Sequence, residues 1–211
     1  DFVGHPLVDR HGLPPAPPFR SAGEQPHLVL LPGSRTGELR RHWPVVAAAA
    51  QKVIEKTRAR CTLVLPHEAA RSALPPGIPD PEGLSVQIGK LAATLADADV
   101  AIASTGTVTL ECAWFAVPTI ALYKTSWSTY QIGKRIIQVP FLAMPNLLAG
   151  KAVLPEFVQD AATSDALAEA TLNLLTTPGA LSEARKELIL VRQLLGPPGA
   201  TERAADKILA D

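Results

Sequence analysis

Five short apolar runs, at residues 27–31, 61–65, 84–88, 100–103 and 119–123, alternate with segments of helical character. The runs are predominantly apolar, so a strand with one wet face does not suit most of them. They read as strands covered on both sides by helices. Between them, residues 38–58 are Ala-rich with mixed charge and predict a helix, with Pro44 near its start, where a missing N–H does least harm. Shorter helices are predicted after Pro66 and at 91–96, 108–115 and 128–137. Strands alternating with helices imply right-handed βαβ units and a parallel sheet. The expected fold is therefore α/β, a Rossmann-like parallel sheet flanked by helices. From residue 165 the chain reads as helical (165–175, 180–195, 201–209), interrupted by Pro178-Gly179 and Gly196-Pro197-Pro198-Gly199.

A 211-residue chain that is 47% hydrophobic can bury a sizeable core. Its 20 basic and 20 acidic residues cancel, which disfavours a nucleic-acid partner, since neutralising phosphates calls for a basic excess. Cys61 and Cys112 follow no disulfide or zinc spacing and read as small buried hydrophobes of a reducing compartment. His5, His11, His27, His42 and His67 are scattered and read as surface or loop residues, with His5 set apart by its neighbours. No apolar run approaches the roughly 20 residues of a membrane span, and no signal peptide opens the chain. It begins at Asp1 without Met, so a longer polypeptide is expected. Residues 10–26 are rich in Pro and small polar residues and predict a linker or surface loop. The expected division is 1–26 as N-terminal segment and linker, 27–195 as the main domain, and 196–211 as a C-terminal helix.

In open α/β sheets ligands lie beyond the carboxyl ends of the strands, which directs attention to three turns. Leu31-Pro32-Gly33-Ser34-Arg35, followed by Glu38, offers Gly33 for close backbone approach and Arg35 as a forked anion ligand. It also reads as an ordinary strand exit with a solvated Arg. Ser104-Thr105-Gly106-Thr107-Val108-Thr109-Leu110-Glu111 puts hydroxyls and a glycine just ahead of a helix. Exposed N–H groups and the helix dipole there favour a diphosphate, and Glu111, one turn on, suits two ribose hydroxyls. The bland alternative is a helix capped by Thr107 with Glu111 on the surface. The third stretch, from Met144 through Asn146 to Gly150 and on to Glu156 and Gln159, reads by residue type as a structural loop whose polar groups need partners. No Gly-x-Ser-x-Gly elbow and no Walker motif is present.

Four segments in register carry a resemblance. Val3-Gly4-His5-Pro6-Leu7-Val8-Asp9, Leu31-Pro32-Gly33-Ser34-Arg35, Thr105-Gly106-Thr107-Val108-Thr109-Leu110-Glu111 and Pro145-Asn146-Leu147-Leu148-Ala149-Gly150 together resemble the lipid-A-disaccharide synthases. The resemblance implies one half of a two-domain, GT-B type glycosyltransferase with a C-terminal helical tail, an inverting enzyme without metal or cofactor. The implied reaction moves 2,3-diacylglucosamine from UDP-diacylglucosamine to diacylglucosamine 1-phosphate and releases UDP. It implies UDP-sugar binding by Gly33, Ser34, Arg35, Thr105, Gly106, Thr107, Glu111 and Asn146, with catalytic parts for Arg35 and Asn146. Thr105 stands where the family more often has Ser. The acceptor domain that precedes this half in the family is absent from the chain, and with it any convincing general base. The implied location is cytoplasmic, peripheral on the inner membrane, and Trp127, Tyr130, Lys134, Ile137 and Phe141 suit a bilayer interface or packing against protein equally. Other UDP-sugar enzymes of the fold, such as a 2-epimerase or a peptidoglycan glycosyltransferase, and a non-catalytic nucleotide-binding subunit, are the alternatives.

Overall fold

The computed structural model describes residues 2–14, 16–18, 20, 23–126, 130 and 139–210. Six parallel strands, β1 (His27–Leu31), β2 (Arg60–Leu65), β3 (Ser85–Ile88), β4 (Val100–Ser104), β5 (Thr119–Tyr123) and β6 (Glu156–Val158), lie in the order β3-β2-β1-β4-β5-β6. The chain runs outward from β1 to β3 and then returns to place β4 beside β1. The crevice where that order reverses lies between the exits of β1 and β4.

The central strands behave as their apolar sequences demand. In β1, Leu28 and Leu30 point into one core and Val29 and Leu31 into the other. In β4, Val100 and Ile102 part in the same way from Ala101 and Ala103. The first core is covered by α2 (Thr36–Thr57), through Leu39, Trp43 and Val46, and by a later helix carrying Leu167. The second is covered by α1 (Pro6–His11), α4 (Leu91–Leu95) and α5 (Thr107–Trp114). Each fully buried Leu or Val contributes about 1.5–3 kcal/mol, so the two-sided sheet is the main source of stability. Ala101 and Ala103 on the second face leave room for α5 to approach the strands.

α3 (Glu68–Ser72) follows β2, and α6 (Met144–Ala149), α7 (Ser164–Thr176), α8 (Ala180–Gln193) and α9 (Ala200–Ala210) complete the helices described. Four expectations need correction. The stretch read as a loop at Met144 is α6: Pro145 sits in its first turn, where its missing N–H is no loss, and Gly150, at φ +64°, ends it. Glu156–Val158, unforeseen, is an edge strand too short to leave an apolar signature. Pro44 lies more than two turns inside α2, facing the exposed Arg40. His27 and His42, read as surface or loop residues, are buried. The helix expected at 128–137 lies outside the described residues except for Tyr130.

Cys61 and Cys112 are buried free thiols, and burial pushes each up to about 12. The N-terminal segment contains α1, whose Leu7 and Val8 enter the second core. Asp9 accepts hydrogen bonds from the Gly199 N–H at 2.6 Å and the Thr201 N–H at 3.0 Å, so it caps α9 across the length of the chain. His5 caps its own helix, accepting the Leu7 N–H on Nδ1 at 3.1 Å.

The amino end of the sheet is closed by charge. Asp99, buried at the head of β4, accepts the His27 N–H and the Arg20 Nε–H, both at 2.9 Å, and pairs with Arg185 at 3.2 Å. Asp97 takes Arg20 and Arg60. Burial opposes its ionisation, yet the hydrogen bonds from Arg60 and Arg20 hold its carboxyl below the usual range. His27 Nδ1 lies 3.0 Å from the Asp97 carbonyl and Nε2 lies 2.8 Å from Thr62 Oγ1. A carbonyl only accepts, so Nδ1 carries the proton and Nε2 accepts from Thr62. Burial depresses the His27 pKa, which keeps the ring neutral.

Candidate functional site

The carboxyl end of the sheet is open. A cavity of about 450 Å³ lies over the exits of β1, β2, β3 and β4, lined by Leu31 and Gly33–Arg35, by Val64–Pro66, by Gly89 and Leu91, and by Ser104–Val108 and Glu111. Its floor is apolar and its rim polar, as small-molecule sites tend to be.

Two strand exits supply the rim. After β1, Gly33 has φ +128°, and a Cβ there would stand 2.6 Å from Glu38 Oε2. Glycine is thus required both by the backbone and by the carboxylate folded over it. That carboxylate accepts the Ser34 N–H at 3.1 Å on Oε2 and the Arg35 guanidinium at 3.1 Å on Oε1. It also lies 3.4 Å from the Arg35 amide. The Arg35 side chain is 83% exposed and free to turn toward an anion in the cavity. Behind this turn His42 Nδ1 donates to the Pro32 carbonyl at 2.7 Å and Nε2 accepts the Lys124 N–H at 3.0 Å. Burial depresses this imidazole too, so it stays neutral and joins the exits of β1 and β5.

After β4, the Thr105 N–H continues the ladder to Leu122 at 2.9 Å. Gly106 follows with φ 134° and ψ −161°, a conformation essentially reserved for glycine, and becomes the N-cap residue of α5. No side chain caps the helix. The Thr109 hydroxyl donates back to the Gly106 carbonyl at 2.6 Å, and the amides of Gly106, Thr107 and Val108 have no partner among the described residues. The positive end of the α5 dipole therefore opens into the cavity with its donors uncommitted. A Cβ at Gly106 would meet nothing within 4 Å, so this glycine serves the backbone turn and the space above it is empty. Glu111 is one turn further along the wall, its side chain 14% exposed.

Of the residues singled out from sequence, Gly33, Ser34, Arg35, Thr105, Gly106, Thr107 and Glu111 come together on this cavity. Asn146 is not among the lining residues. It is fully buried: Nδ2 donates to the Leu154 carbonyl at 2.9 Å and Glu156 Oε1 at 2.6 Å, while Oδ1 accepts the N–H groups of Val153 at 2.7 Å and Leu154 at 2.8 Å. Two donors and two acceptor sites are the capacity of an amide, so none is left for a ligand. Lys124 and Gln159 are likewise engaged within the protein, Lys124 Nζ on the Gln159 carbonyl at 2.7 Å and Gln159 Oε1 with the Thr125 N–H at 2.8 Å. Glu38 and the apolar wall from Val64 to Leu91 were not anticipated as parts of the site. The carboxylate three residues after Arg35 was a legible capping signal. Trp127, Lys134 and Ile137 of the suspected bilayer-facing group lie outside the described residues, Tyr130 and Phe141 within them and half-buried. Among the described residues no cluster of His, Cys, Asp and Glu suited to a metal is found, and no helix is long and apolar enough to cross a membrane.

A parallel sheet of this order, with an uncapped helix facing a cavity at its switch point, defines the Rossmann-like half of a GT-B glycosyltransferase fold. The glycosyltransferase WaaG, involved in lipopolysaccharide biosynthesis, superposes with a TM-score of 0.55 over 96% of this chain and 50% of its own, at 16% identity. The spinosyn rhamnosyltransferase SpnG, solved with thymidine diphosphate, does so with a TM-score of 0.56 over 87% of this chain and 46% of its own, at 14% identity. Within that class the chain belongs to the lipid-A-disaccharide synthetase family, whose model matches residues 1–204. The lipid-A-disaccharide synthase of Geobacter sulfurreducens is 36% identical over 99% of this chain and 56% of its own length. The chain thus spans about half the length of the curated relatives it matches.

Proposed function

We propose that this chain is the donor-binding half of a lipid-A-disaccharide synthase, which transfers 2,3-diacylglucosamine from UDP to diacylglucosamine 1-phosphate with inversion at the sugar carbon and release of UDP. The observation that carries this reading is the uncommitted amide cluster of Gly106, Thr107 and Val108 opening on a cavity with Glu111 one turn away. The diphosphate sits on those amides, and Glu111 accepts the ribose hydroxyls. As the glycosidic bond breaks, negative charge grows on the diphosphate, and donors fixed beforehand bind it more strongly in the transition state than in the ground state. Arg35 swings from Glu38 onto the same charge. Loss of one such donor costs on the order of 10²-fold in rate. Asn146 supports this site from beneath by fixing the 153–156 turn, and does not contact the donor. Residues 27–195 form the UDP-sugar-binding domain, with 1–26 as its entering segment and 196–211 as the helix that crosses toward an acceptor domain supplied by residues outside this chain. The acylated substrates put the reaction at the cytoplasmic face of the inner membrane.

Calorimetry tests the reading. The folded chain binds UDP, and the chain alone transfers no sugar. No heat of UDP binding at millimolar concentration in a folded sample would remove the site. Glu111→Ala weakens UDP by about 10-fold, the worth of a hydrogen bond to a charged group, and leaves pyrophosphate unaffected. Equal weakening of both ligands would take Glu111 off the ribose.

A further inference from the structure

One side chain in contact with the cavity wall has no part in the reading above. His11, the last residue of α1, is packed with its ring edge-on to Phe115, centroids 5.5 Å apart and planes at 71°. Its Nε2 lies 3.2 Å from Glu111 Oε2, with His11 10% and Glu111 14% exposed. That nitrogen is shut off from solvent and makes no well-aligned hydrogen bond. A buried polar atom without a formed bond costs free energy and calls for an explanation, and this one stops beside a single oxygen of the carboxylate that faces the cavity. The ring has little freedom to move away. Leu7 and Val8 anchor α1 in the core, and Asp9 holds it to the start of α9. The freedom left in the pair belongs to the carboxylate, which a small rotation brings into line with the imidazole. Polar contacts in an unliganded site are often misaligned and tighten when the ligand arrives.

We propose that His11 is a positioning residue for Glu111: its Nε2–H holds Oε2 of the carboxylate, so that the other oxygen is presented to a vicinal diol of a nucleoside diphosphate in the cavity. The inference rests on the reading that Glu111 takes the ribose. An unheld carboxylate spreads its acceptance over several orientations, whereas a held one selects ligands carrying both hydroxyls. His11 therefore acts on selectivity for the sugar and leaves the diphosphate subsite alone.

The test compares UDP, 2′,3′-dideoxy-UDP and pyrophosphate by calorimetry on this chain and on its His11→Phe, His11→Gln and Glu111→Gln variants. The unaltered chain prefers UDP over the dideoxy nucleotide by about 10-fold. In His11→Phe, which keeps the packing on Phe115, the preference shrinks to about 2-fold while pyrophosphate binding is unchanged. His11→Gln, which keeps a donor, restores most of it. A His11→Phe chain that retains the full preference overturns the proposal. If Glu111→Gln abolishes the preference and His11→Phe does not, the part assigned to His11 falls and the ribose reading stands. If Glu111→Gln also retains it, both fall. A measurement that needs no variant is the His11 Nε2–H resonance in ¹⁵N-labelled protein. UDP shifts it downfield, as a tightened hydrogen bond requires, and dideoxy-UDP leaves it in place. The same response to both nucleotides overturns the proposal.

Discussion

At the amino end of the sheet Asp97 and Asp99 receive Arg20, Arg60, Arg185 and the His27 amide, whereas at the carboxyl end the amides of Gly106, Thr107 and Val108 face a cavity without a protein partner among the described residues. The two ends belong to the same strands and are equally well supported by the apolar layers. What differs is whether the polar groups were given partners from the chain. The closed end converts its charges into stability. The open end leaves its donors available, and the protein tolerates this because they lie at a partly exposed turn and not in the core. Asn146 refines the comparison, since it sits near the open end yet is saturated like a group of the closed one.

The comparison can be tested by variants at both ends, from the largest expected effect to the smallest. Asp99→Ala leaves the mostly buried Arg185 without its carboxylate and Arg20 with Asp97 alone, and should lower the unfolding free energy by about 3 kcal/mol in denaturant titrations, with UDP affinity of the folded protein unchanged. A loss below roughly 1 kcal/mol would show that the closed end is not a stabilising device. Asn146→Ala leaves the amides of Val153 and Leu154 without their partner, while Glu156 Oε1 keeps the Ala143 N–H, at a cost of about 2 kcal/mol. UDP affinity should stay within about 2-fold, and a far larger loss would return Asn146 to the ligand. Arg35→Ala has the reverse profile. Its exposed guanidinium contributes within about 0.5 kcal/mol to stability, while UDP affinity drops by about 10-fold.

The smallest effect is on acid sensitivity. His27 at the closed end and His42 behind the open one are both held below the ordinary imidazole value by burial. The unfolded chain takes up these protons at about pH 6.5, before the folded one does. Their contribution to stability is therefore complete above about pH 6.5 and is lost as the pH falls below it. The thermal midpoint should fall by a few degrees between pH 7.5 and 5.5. His27→Gln should flatten part of that slope without altering UDP binding. His42→Gln should flatten its own part and loosen the Pro32–Lys124 tie under the cavity rim. A midpoint that does not move over this range would rule out both titrations.

The fold was legible because the central strands are apolar on both faces, and the ends of five of the six strands agreed with the structure to within a residue. β6 was not, because three residues following Pro155 carry no periodicity, and their strand character comes from pairing with β5. α6 reads as a loop by residue type, and its six residues are too few to show a helical period. The cavity rim was legible at Gly33, Arg35, Gly106 and Glu111, where backbone geometry and position after a strand can be read locally. Asn146 was recognised as a polar group in need of a partner, and the partner turned out to be the protein. The burial of His27 and His42 and the approach of His11 to Glu111 depend on contacts 35 to 100 residues apart, which no local pattern encodes.

The bond between Asp9 and the start of α9 has a consequence for how the protein is made. α1 carries His11 to the wall of the cavity, and although Leu7 and Val8 seat it in the core, its clasp through Asp9 cannot close until Thr201 has been synthesised. At roughly 5–20 residues per second, the 90 residues separating Glu111 from Thr201 take roughly 5 to 18 s to emerge from the ribosome. During that interval β5, β6 and the helices α6 to α8 are added to the sheet, while the bonds from Asp9 to the start of α9 are still unmade. A nascent chain of this kind makes the uncapped start of α5 early and latches the wall beside Glu111 last.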